Sequence, residues 1–230
     1  MRIGIIAALS GELKPLVRGW EPLPAARASG IRMWERPAAK GRNEVLAVCG
    51  GMGAAAVRRA FAAAEFRGAM DLVLSVGWAG ALSPDLKPGE VLEANELIDA
   101  QTGERFRAAN GTVRLVTTVR VAGPAEKARL HRSYGAAVVD MEATTIARLA
   151  QMRGISVRCL KGISDGVQTD LPDLNPFIDI AGQMQIVKFL AHVALRPRTW
   201  LPLARLGKYS ATAAKLLAVT IEGVLAELED

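Results

Sequence analysis

The chain has 230 residues and a mass of 24.5 kDa; half of its residues are hydrophobic, 23% are charged and 5% are aromatic. That composition excludes a disordered or low-complexity polymer and asks for one domain with a core of small aliphatic side chains. The formal charge of +6 and pI of about 9.7 raise nucleic acid as a partner, but the basic residues form no block with interleaved aromatics, which argues against it.

Residues 3–9 are a continuous apolar run that suits a strand buried on both faces. One positive charge precedes it and Gly11-Glu12-Leu13-Lys14 offers no small-residue cleavage site, so it reads as a first strand rather than a signal peptide. Ser10 then offers a helix N-cap, with Leu13, Leu16 and Val17 at helical spacing. Residues 45–48 are a buried strand ending in Gly50-Gly51-Met52-Gly53, and the alanine-rich 54–66 a helix. Residues 72–76 are a strand running into Gly77-Trp78-Ala79-Gly80. Residues 91–98 and 113–121 alternate and read as strands nearer an edge. A helix follows from Pro124 to residue 134, then a strand over 136–139 stopping at Asp140-Met141-Glu142, and a helix over 143–152. Residues 157–163 are a strand that stops at Ser164-Asp165. Residues 177–195 and 210–229 read as helices, after a proline-dotted stretch over 167–176. No uncharged apolar run reaches the roughly 18 residues of a membrane span. Cys49 and Cys159 sit in apolar runs and read as buried thiols in a reducing cytoplasm.

Alternation of strands and helices predicts an α/β domain over 1–230, with an extended helical segment at about 177–230. In such sheets ligands bind at the carboxyl ends of the strands. Glu12 follows one buried strand, Asp140 and Glu142 a second, and Ser164 and Asp165 a third. Each carboxylate could merely cap the next helix; three together point to acid–base chemistry on a small polar molecule. Gly51-Met52-Gly53-Ala54-Ala55-Ala56 with Asp71 twenty residues on satisfies the dinucleotide-binding pattern in outline. Asp71 precedes its strand instead of ending one, so close backbone approach is the better account of these glycines.

Residues 3–12 are similar to the N-terminus of the 5′-methylthioadenosine/S-adenosylhomocysteine nucleosidases. Ser75-Val76-Gly77-Trp78-Ala79-Gly80-Ala81-Leu82 looks like their glycine-rich segment, and Leu86-Lys87-Pro88-Gly89-Glu90-Val91 like the turn and strand after it. Val139-Asp140-Met141-Glu142-Ala143-Thr144 resembles their Met-Glu ribose motif, and Lys161-Gly162-Ile163-Ser164-Asp165 their Ser-Asp motif. Four collinear motifs over residues 1–180 resemble the nucleoside phosphorylase/nucleosidase superfamily. The resemblance implies a three-layer α/β/α fold with a mixed central sheet, a homodimer, no cofactor and a cytoplasmic enzyme acting on a purine nucleoside. It implies that Asp165 protonates the leaving base with help from Ser164, that Glu12 activates water, and that Glu142 and Met141 hold the ribose. Ala8, Met52, Gly77 and Trp78 would complete the substrate site. No metal site is expected: His131 and His192 have no partner at ligand spacing.

The phosphorolytic members resemble one another in carrying an arginine just before the Gly-Ser/Thr segment. Here Ser75 or Val76 stands there, which favours hydrolysis of a 5′-modified purine nucleoside over phosphorolysis. Three departures bear on specificity. Trp78 replaces a small hydroxyl residue and could fill the pocket, stack on a base or belong to the core. Lys161 replaces an arginine. Residues 117–123 lack the phenylalanine of the base-stacking loop. A non-catalytic nucleoside-binding protein on the same scaffold is the reading these departures would suit. The apolar and basic segment around Arg196–Lys208 could cover the pocket, form a dimer face or touch an anionic membrane surface. In this it is similar to the hopanoid-associated phosphorylases of the superfamily, which act on the lipid-tailed nucleoside adenosylhopane.

Overall fold

The computed structural model describes residues 1–24, 30–39, 42–169, 172–194 and 196–229. The strands are β1 (Arg2–Ala7), β2 (Glu21–Leu23), β3 (Arg32–Glu35), β4 (Glu44–Cys49), β5 (Leu72–Ala81), β6 (Val91–Asp99), β7 (Arg105–Arg107), β8 (Val113–Thr117), β9 (Val138–Asp140) and β10 (Ser156–Asp165). The helices are α1 (Ser10–Leu13), α2 (Ala54–Phe66), α3 (Pro124–Tyr134), α4 (Ala143–Gln151), α5 (Ile186–Ala194) and α6 (Trp200–Glu227).

All ten strands join one mixed sheet. β5 is its pivot. Its first half lies between β1 and β10, parallel to both. Its last residues leave β1 and pair antiparallel with β9, Gly80 opposite Val139. β9 continues to β8, β8 to β6 and β6 to β10, which returns to β5. Five strands thus close into a ring, while β1, β4, β3 and β2 extend from it as an open wing.

Helices cover both faces, giving three layers. Ile3, Ile5 and Ala7 of β1 pack with Leu13, Leu217, Ile221 and Leu225 under α1 and α6. Ile6 turns to the opposite face, among Phe61, Ala143 and Ala147 of α2 and α4. This is the period-2 alternation of a strand whose two faces are both apolar. A third cluster joins Leu82, Ile98, Val116 and Val139 to Leu130 of α3. Cys49 and Cys159 are buried free thiols, each pushed up, to about 11 and about 12, chiefly by burial.

Several elements differ from expectation. Ser10 lies inside the first turn of α1; Leu9 holds the cap position, and the Glu12 carboxylate reaches back to its amide. β6 and β8 are not near an edge: both are paired on each side within the ring, so their alternation separates the ring's interior from the helix layer. Residues 118–121 lie beyond β8. The helix expected over 177–195 begins only at Ile186, because Gly182 at φ +73° and the bridge between Ile178 and Met184 hold the preceding stretch open. Its expected end, Leu195, lies outside the described residues, as does part of the 167–176 stretch. The last helix starts ten residues earlier than expected, at Trp200. Together with a 3₁₀ turn from Pro197, it is long and apolar enough to cross a bilayer by length and composition. Its second half is instead a core helix, with Leu217, Ile221 and Leu225 under the sheet.

Candidate active site

Three strand ends deliver polar side chains to one cavity of about 270 Å³, near the roughly 300 Å³ at which small-molecule sites begin. From the end of β1, the amides of Ala8 and Leu9 donate to Glu12 Oε2 at 2.9 and 2.8 Å, and the amide of Trp78 donates to Oε1 at 2.8 Å. Gly77 makes that approach possible. At φ +140° it holds a conformation that favours glycine, and a Cβ there would lie 2.8 Å from Glu12 Oε1. Burial raises the Glu12 carboxyl above its ordinary value, against the pull of these amides and of Lys161.

From the end of β9, Glu142 accepts from the amide of Gly53 at 2.7 Å. This is what the Gly50–Gly53 turn does, with Gly51 and Gly53 both at positive φ. Asp71 takes no part: it accepts from the amide of Arg2 at the opposite end of β1, so the dinucleotide reading fails. Glu142 is pushed up to about 8, first by burial and then by the charge of Asp140. Asp140 accepts from the Thr117 hydroxyl at 2.7 Å, from the Ala143 amide at 2.9 Å, and from Lys161 Nζ at 2.9 Å. Burial works against the Lys161 ammonium, but Asp140 outweighs it and the group is raised overall.

β10 continues two residues further than the apolar run and carries Ser164 and Asp165 into the cavity. The Ser164 hydroxyl donates to Asp165 Oδ1 at 2.6 Å. Lys127 of α3, 1% exposed, donates from Nζ to Asp165 Oδ2 and, at 2.7 Å, to the carbonyl of Gly166. Gly80 leaves room for this pair: a Cβ there would stand 3.2 Å from Lys127 Cε and 3.3 Å from Asp165 Oδ2.

A family model described as the phosphorylase superfamily matches residues 2–117 and 107–193. The chain belongs to that superfamily. Similar solved structures include the 5′-methylthioadenosine/S-adenosylhomocysteine nucleosidase of Helicobacter pylori, complexed with butyl-thio-DADMe-Immucillin-A, at 15% identity and TM-score 0.72 over 99% of this chain and 98% of that one. The futalosine hydrolase of the same organism matches at 15% identity and TM-score 0.73 over 99% and 98%. The Arabidopsis thaliana 5′-methylthioadenosine nucleosidase matches at 16% identity and TM-score 0.68 over 97% and 95%. By sequence alone, no curated protein matches the chain.

In this member of the phosphorylase superfamily Ala8, Glu12, Met52, Trp78, Met141, Glu142, Ser164 and Asp165 all line the one cavity. Gly77 does not; it stands behind Glu12. Lys161 is likewise outside the lining, 1% exposed beneath it. Trp78 forms a wall: its ring end packs where a Cβ on Gly11 would lie 2.9 Å away, and its indole N–H donates to the carbonyl of Ser210 in α6 at 3.0 Å. The 117–123 stretch contributes Thr118, Arg120, Val121 and Ala122 to the lining, so the face that lacks a phenylalanine mixes polar and aliphatic side chains. Leu174, Met184 and Leu206 add an apolar portion. Among the described residues, no three His, Cys, Asp or Glu side chains gather at metal-binding distance.

Lys127 is the residue that sequence reasoning missed. The available signal was a lysine three residues before Leu130, on the one buried face of an otherwise polar helix.

Proposed function

We propose that this protein hydrolyses the N-glycosidic bond of a purine nucleoside bearing an uncharged 5′-substituent. The observation that carries the reading is the meeting of Glu12, Glu142 and the Ser164–Asp165 pair in one cavity of a phosphorylase-superfamily fold. Glu142, raised toward neutrality, would bind the ribose hydroxyls as donor and acceptor, with Met141 against the sugar. Water attacks C1′ as the bond from C1′ to the base nitrogen breaks, and the bonding pair leaves with the base. The base takes a proton at N7 from the Lys127–Asp165 couple, and Glu12 receives the proton of the attacking water. Burial favours that role, because a raised carboxylate is a stronger base. The apolar lining of Leu174, Met184 and Leu206 suits an uncharged 5′ group such as a thioether.

Water rather than phosphate is supported by what stands beside Glu12. The groups hydrogen-bonded to Glu12 are backbone amides, and of the cations lining the cavity Arg120 lies on the loop after β8 and Lys127 is held by Asp165, whereas a phosphate dianion is best held by bidentate arginine.

Base release from 5′-methylthioadenosine, with and without phosphate, tests this, and S-adenosylhomocysteine, whose 5′ tail carries an ammonium and a carboxylate, should be the poorer substrate. Release without phosphate is expected, reduced about 10²–10⁴-fold in Asp165→Asn. Lys127→Met, which removes the ammonium that holds Asp165 in place, should retain binding but lose most of the activity. Release only with phosphate would move the enzyme to phosphorolysis. Binding without release, unchanged in Asp165→Asn, would make it a nucleoside-binding protein.

A further inference from the structure

The net charge of this protein is confined to one stretch. Residues 180–221 contain six basic residues, Lys188, Arg196, Arg198, Arg205, Lys208 and Lys215, and no Asp or Glu. Of 29 basic and 23 acidic residues in the chain, that leaves 23 against 23 elsewhere, so the remainder is neutral and the stretch holds the whole +6. All six basic side chains are exposed, and among the described residues none is paired with a carboxylate.

The same stretch exposes large apolar side chains. Val187 is 82% exposed, Leu190 58%, Trp200 54% and Leu201 59%. Their helices are nevertheless held in place. Phe177 packs edge-on against Phe189 and near His192, and the Trp200 indole N–H donates to the carbonyl of Val193 at 2.9 Å. In α6 the change of character is sharp. Its second half buries Ala213, Leu217, Ile221 and Leu225, whereas its first three turns, Trp200 to Tyr209, bury none.

We propose that α5 and the first turns of α6 form a docking surface for an anionic phospholipid membrane. Exposed aliphatic and tryptophan side chains insert at the interface while arginines and lysines beside them meet phosphate head groups. The occupant follows from complementarity: a stretch with six exposed cations and no carboxylate of its own suits an anionic partner better than a second copy of itself. The interleaved apolar bulk favours lipid over a nucleic-acid backbone. The surface is continuous with the cavity, because Leu206 and Ser210 of α6 line it.

Co-sedimentation of the full chain with vesicles tests the proposal. Phosphatidylcholine vesicles containing about 30% phosphatidylglycerol should retain the protein at least tenfold better than phosphatidylcholine alone, and about 0.5 M salt should release it. The combined substitution Arg196→Gln, Arg198→Gln, Arg205→Gln should weaken retention roughly 100-fold, on the basis of about fivefold per basic residue. Trp200→Ala with Leu201→Ser should weaken it too, and Leu201→Ser alone, which removes no hydrogen bond that holds the helices, should weaken it with the melting temperature of the parent kept. No retention on anionic vesicles would overturn the proposal. So would equal retention on neutral vesicles, tighter binding to nucleic acid than to lipid, or a dimer that falls apart in the Trp200→Ala, Leu201→Ser protein.

Discussion

Glu142 sits close to Asp140, and two carboxylates this near and this buried do not both ionise readily. Asp140 has the ammonium of Lys161, so the proton stays with Glu142 until about pH 8. Folding therefore tightens proton binding at Glu142. Its contribution to stability is complete below the ordinary carboxylate range and is lost as pH rises through about 8. The melting temperature should fall by several degrees between about pH 6 and pH 9, and Glu142→Gln should flatten that part of the curve. A variant that retained the full decline would show that another group is responsible. The same protonation state gives Glu142 an O–H to donate in the neutral range, which an isolated reading of Met-Glu as a ribose motif did not contain.

Among the elements, β9 and β10 are joined across the ring by Lys161 and Asp140, side chains 1% and 0% exposed. Lys161→Met keeps the stem but strands a buried carboxylate, and should cost about 3–5 kcal/mol in denaturant unfolding; a cost near zero would mean that water reaches Asp140. Position 161 was legible in the sequence as a departure from arginine, but its role was not, since nothing in the sequence around it names Asp140 as its partner. β1, β4 and the start of β5 were legible because burial on both faces leaves a nearly unbroken apolar run, and β10 was legible although Arg158 and Lys161 interrupt it, each paired with a carboxylate. β2, β3 and β7 were not, because three or four residues are too few to show a period. The carboxylates could be placed together because all follow strand ends. Lys127 could not, because it reaches Asp165 from a helix packed outside the ring.

Across the whole molecule, α6 serves two environments, and stability should divide between them. Leu217, fully buried, should cost about 2–5 kcal/mol when cut to alanine. Leu201, on the exposed first turn, should change stability by no more than about 0.5 kcal/mol. Urea titration of the two variants measures the contrast, and equal losses would place the first turn in the core as well. The ring has a consequence for how the protein forms. β5 finds β1 early in the chain but meets β9 and β10 only once the chain has run on from Ala81 to Val138 and Ser156. Closing it depends on contacts between distant segments, which makes folding slow. Glu12 is gripped only when β5 lies beside β1, Asp165 only when β10 and α3 arrive, and Trp78 gains its last hydrogen bond from α6. A finished but partly folded chain therefore carries every one of these residues and none of the cavity.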